Sequence, residues 1–90
     1  QTKNAALRVM VNMLESEVSP LLETVMNTFP TTYLKAYVAM KEGVDQWLPV
    51  DIVATGKDAA DAQHILNKAV THFSDLITEH GKHMELYNDE

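Results

Sequence analysis

Apolar residues recur at alternating spacings of four and three toward both ends of the chain. Leu7, Val11, Leu14, Val18, Leu21 and Val25 form one series, and Leu66, Val70, Phe73, Ile77, His80 and Met84 form the other. This is the spacing of one face of a helix. Each series would extend about 27 Å at 1.5 Å of rise per residue. The pattern therefore predicts two long helices whose stripes pack on each other or on a partner chain. Met10, Met13, Leu22 and Met26 widen the first stripe beyond a narrow seam, which favours the core of a bundle. Val alternating with Leu, and Asn4 in step with them, also fits a short two-stranded coiled coil, so a homodimer is a second reading.

Proline and glycine punctuate this pattern. Pro20 lacks an N–H and predicts a kink near Val18 and Ser19 in a first helix over residues 2–29. Pro30 closes that element. Thr31 or Thr32 can then cap a second helix carrying Tyr33, Leu34, Tyr37, Val38 and Met40, with Gly43 as its stop. Residues 44–56 contain Pro49 among apolar positions, and one or two short helical turns plugging the end of the bundle are expected there. Asp58 and Asp61 resemble a capping box at the start of a last helix over residues 58–80, which Gly81 ends. The expected fold is all-α, a single domain over residues 1–90. It is a small bundle of about four helices, two long (the N-terminal one, kinked near Pro20, and the C-terminal one) and two short.

Composition narrows the functional classes. Ninety residues with 46% hydrophobic and 22% charged positions describe one globular domain rather than a disordered chain. The absence of cysteine removes disulfides, zinc–thiolate sites and thiol catalysis. No apolar run reaches the roughly 18 residues of a membrane span, and no leader-like apolar core follows the first residues. A cytoplasmic location is therefore expected. Gln1 in place of methionine leaves open whether this is a whole protein, a processed product or a domain of something longer.

The net charge of −6 is concentrated in one half. Residues 1–41 hold four cations against three acids, whereas residues 42–90 hold three against ten. Such a half repels phosphate backbones, so no direct nucleic-acid binding is expected, and it favours a protein partner with a basic surface. Asp45, Trp47, Asp51, Asp58 and Asp61 are the candidate partner-binding residues: clustered carboxylates beside an aromatic of the type enriched in binding hot spots.

Other constellations point to different chemistry. His72, Asp75, Glu79 and His83 share one stripe of the last helix, and imidazole and carboxylate suit zinc or iron, but the ends of the stripe lie about 16 Å apart. His80 stands where the second series calls for an apolar residue. It is either a ligand-contacting group or a half-exposed histidine near a helix end, partnered by a tyrosine or a backbone carbonyl. The segment His64-Ile65-Leu66-Asn67-Lys68-Ala69 resembles the His-x-x-Lys-Gly motif of histidine phosphotransfer domains, with Lys68 one residue late and Ala69 where that motif has glycine. The resemblance implies a four-helix bundle, with His64 as phosphoryl acceptor and Lys68 balancing the phosphate charge. Nucleophile elbows, phosphate loops and dinucleotide fingerprints are missing, and the three glycines are scattered.

The expected function is accordingly non-catalytic: a regulatory, inhibitory or adaptor module binding a protein through an acidic helical surface, as a monomer or homodimer, with no cofactor. A metal- or phosphate-handling module on the last helix and a structural subunit of a larger assembly are the alternatives.

Overall fold

In the computed structural model, which describes residues 2–37 and 47–87, six elements follow one another. They are β1 (Lys3–Val11), α1 (Glu15–Thr28), β2 (Thr32–Ala36), β3 (Leu48–Gly56), α2 (Ala59–Glu79) and β4 (Met84–Leu86). The strands form one antiparallel sheet in the order β2-β3-β1-β4, with both helices on one face. Element order and strand order together make a ferredoxin-like, split β-α-β arrangement.

The all-α bundle expected from the heptad spacing is thus corrected: β1, β2 and β3 stand where helix was expected, and β4 follows the last helix. The physical reason lies in the spacing of four, which keeps residues on one face of a helix and equally on one face of a strand. Leu7 and Val11 satisfy both. Ala5, Leu7, Val9 and Val11 alternate with Asn4, Ala6, Arg8 and Met10, so the shorter period places Val9 and Val11 in the fully buried row. β3 shows the same period, with Leu48, Val50, Ile52, Ala54 and Gly56 inward and Pro49, Asp51, Val53 and Thr55 outward. The short helical turns expected over residues 44–56 are therefore a nine-residue strand from Leu48 onward.

The second predicted helix is likewise replaced by β2, which turns Thr32 and Leu34 inward and exposes Tyr33 and Lys35. Its continuation through Val38, Met40 and Gly43, with Asp45, lies outside the described residues. The four-helix bundle implied by the phosphotransfer motif is absent as well.

Both helices are amphipathic and cover the sheet. α1 starts after Leu14, whose N–H donates to the Glu17 carboxylate at 2.9 Å. Pro20 sits inside this helix. α1 buries Val18, Leu21, Leu22 and Val25, and α2 buries Ala62, Leu66, Ala69, Phe73 and Ile77 across β3 and β1. α2 matches its sequence expectation closely. Asp58 caps it by accepting the Asp61 N–H at 2.8 Å, and Gly81, with φ of +72°, ends it. There the Lys82 N–H reaches the Ile77 carbonyl and the Gly81 N–H the Thr78 carbonyl, a Schellman closure that favours glycine.

β4 is short and pairs only with Val9–Val11, after which the Tyr87 N–H bonds the Arg8 carbonyl at 3.1 Å. No helix among the described residues is long and apolar enough to cross a membrane.

At the β3–α2 corner the two layers approach closely. A Cβ on Gly56 would stand 2.8 Å from the Ala62 Cα, on helix backbone that cannot swing aside. Gly56→Ala is therefore expected to cost at least about 2 kcal/mol, in the range of overpacked cores, read as a lowered urea midpoint at unchanged slope.

Candidate interaction surface on the open sheet face

With both helices on one side, the outward residues of all four strands form a second face that carries no covering element among the described residues. Register decides what stands there. Arg8 of β1 lies opposite Asp51 of β3, which lies opposite Lys35 of β2. The Arg8 guanidinium grips the Asp51 carboxylate at two points, Nε to Oδ1 at 2.5 Å and Nη2 to Oδ2 at 2.9 Å. The Tyr37 hydroxyl donates to the same Oδ2 at 3.0 Å.

Aromatic rings flank this pair. The Arg8 Cζ is 5.2 Å from the centre of the Tyr37 ring and 5.4 Å from that of Tyr87, within cation–π range. Lys35 Nζ lies 5.3 Å from the Tyr37 ring. Tyr33, 60% exposed, stands level with Val53 and Ala6 in the next row. The face thus has an organised centre, with tyrosines whose edges remain open to a partner.

The charges respond to this placement. Hydrogen bonding to Arg8, and then to Tyr37, holds the Asp51 carboxyl below its ordinary value against the opposing effect of partial burial. The same bond raises the Arg8 guanidinium further, so both stay ionised at neutral pH.

The five sequence candidates separate in space. Asp51 belongs to this face. Asp58 and Asp61 sit together at the start of α2, where Asp58 caps the helix and Asp61 accepts the Lys57 N–H at 2.9 Å. Trp47 is half-buried just before β3, and Asp45 lies outside the described residues. Arg8 and Tyr87 were not among the candidates. The signal that could have found them is the alternation of β1, which assigns Arg8 to the polar side.

Among the described residues, no group of three His, Asp or Glu side chains comes together as a metal would require. His80 is an exposed helix-end residue, with Nδ1 2.8 Å from the Leu76 carbonyl.

Comparison with solved structures finds a similar fold in two structures of one subunit. The intact alpha subunit of aIF2 from Pyrococcus abyssi superposes with a TM-score of 0.57 at 16% identity, over 100% of this chain and 35% of that one. A C-terminal segment of the same alpha subunit superposes with a TM-score of 0.54 at 16% identity, over 99% of this chain and 51% of that one. This chain therefore spans only a third to a half of the structures it resembles, and identity at this level shows a common fold alone. No protein-family profile matches the sequence. No curated protein does either.

The Arg8–Asp51 pair yields a pH prediction. Because the folded Asp51 carboxyl lies below its unfolded value near 3.8, the pair contributes stability above that value and loses it as pH falls further. Asp51→Asn is expected to cost at most about 1 kcal/mol at pH 7, as for exposed pairs. In urea denaturation the gap to wild type should narrow as the pH is lowered below 3.8 and the carboxyl takes up its proton.

Proposed function

We propose that this chain is a non-catalytic protein-interaction module that seats on a partner protein as part of a multi-subunit assembly, through the open face of its sheet. The carrying observation is the uncovered face itself, where Tyr33, Tyr37 and Tyr87 surround a fixed Arg8–Asp51 pair. Tyrosine and arginine dominate binding hot spots, tyrosine because it buries much area with few rotamers lost. The structural neighbours support this reading, since an alpha subunit is by name one member of a larger factor.

The same topology is used by RNA-binding sheets, but those stack bases on aromatics of the central strands. Here the central strands present Ala6, Arg8, Asp51 and Val53, and the aromatics flank them. Arg8 is already matched by Asp51, which leaves little free positive charge for a phosphate backbone. A protein partner suits this surface better.

A second contact is favoured by the helical layer. Glu15, Glu17 and Glu23 are the only charged residues of α1, and α2 carries Asp61, Asp75 and Glu79 against Lys68. That layer would meet a basic surface, in keeping with an acidic helical docking surface. A second copy of this chain is the other occupant to consider, and light scattering at high concentration distinguishes it from a different protein.

The test is to isolate the partner by co-purification and titrate it against variants. Tyr33→Ala with Tyr87→Ala should weaken binding at least tenfold, at unchanged thermal stability, if these rings are hot spots. Charge reversal at Glu15 and Glu23 should instead change the salt dependence of association. Full affinity in the tyrosine double variant would show that the open face is not the docking surface.

A further inference from the structure

Away from the sheet face, the outer side of α2 carries an open groove of about 460 Å³, walled on one side by Phe29 at the end of α1. Three of its residues follow one another a helical turn apart: His64, Lys68 and His72. Thr71 adds a hydroxyl beside Lys68 and His72, and Asp75 is the groove's only carboxylate, at one end. His72 packs edge-on against Phe29, with ring centres 6.0 Å apart. Its Nε2 is buried and has no hydrogen-bond partner among the described residues.

An orphaned buried imidazole nitrogen costs free energy that a ligand atom can recover. Lys68 offers only donors, Thr71 a hydroxyl, and His72 a donor once its proton sits on Nε2. Donors lining one groove, with an apolar wall beside them, suit an oxyanion on an organic body. We infer that this groove binds a phosphate or carboxylate group between Lys68, Thr71 and His72, with the body of the ligand against Phe29. The site is separate from the open sheet face, which lies on the other side of the molecule, and within the helical layer it includes Lys68 and Asp75.

The groove is tested on the whole chain by following the imidazole resonances of His64 and His72 during titration with inorganic phosphate and, separately, with benzoate. Saturable shifts at His72 are expected with at least one of them. Phosphate alone would identify a phosphoryl ligand, and benzoate alone a carboxylate carried on a ring. Lys68→Met, at an exposed position that cannot disturb the core, should weaken binding about tenfold, the effect of one charge-assisted hydrogen bond. Lys57→Met, outside the groove, should leave it unchanged. His72→Phe keeps the packing on Phe29 and should also abolish the effect on phosphate. The inference is overturned by the absence of saturation with both probes, or by equal weakening in the two lysine variants.

Discussion

The antiparallel pairing of β1 with β3 is the constraint on which the remainder of the molecule depends. These strands run side by side from Lys3 opposite Gly56 to Val11 opposite Leu48. Because side chains alternate, one register satisfies both strands at once. It sends Val9, Val11, Val50, Ile52 and Ala54 into a layer sealed by Phe73, Ile77, Val18 and Val25, all fully buried. A slip of one residue would put Arg8 and Asp51 into that layer and the valines into water. The juxtaposition of Arg8 with Asp51 therefore follows from the demands of the opposite face. Core packing positions the polar centre, and the pair's own modest attraction does not have to.

The two faces divide the charge between them. Lys3, Arg8 and Lys35 lie on strands, whereas the acids of the described residues gather mainly on the helices and their caps. An imbalance that looks in the sequence like a contrast between two halves is, in three dimensions, a contrast between two layers. One layer is nearly neutral and aromatic, and the other is acidic.

Legibility in the sequence was uneven, for reasons that can be named. α2 could be read because its signals are local: Asp58 and Asp61 at the start, Gly81 at the end, and a long 3.6-residue pattern between. β1 was misread because Leu7 and Val11 serve both periods, and the deciding evidence was Val9, which a helix would turn away from the stripe. β3 was obscured by Pro49, which argues against a helix without announcing a strand, and β2 by Thr31, Thr32 and Gly43, which read as the cap and stop of a helix. Of the candidate site, Asp51 was reached by its charge. Arg8 and Tyr87 come to it only through long-range pairing across 43 residues in one case and through the last strand in the other. No spacing rule along the chain conveys such partnerships. Asp58 and Asp61, which spell an acidic cluster in one dimension, have their carboxylates engaged by backbone N–H groups at a helix start.

The brevity of β4 leaves part of the central strand on the rim of the sheet. Beyond Arg8, the N–H and C=O groups of Ala6 and Asn4 have no pairing with β4 among the described residues. Unclaimed strand rims are templates for unwanted addition of other chains, and proteins guard them with charge and irregularity. Here Lys3 and the hydrogen-bonded Asn4–Thr55 pair stand at the margin. Among the described residues, this stretch and the outer side of β2 are thus the rims of the sheet where self-association under stress could start. In a longer assembly they would be the natural seams along which the sheet could be continued by a neighbour.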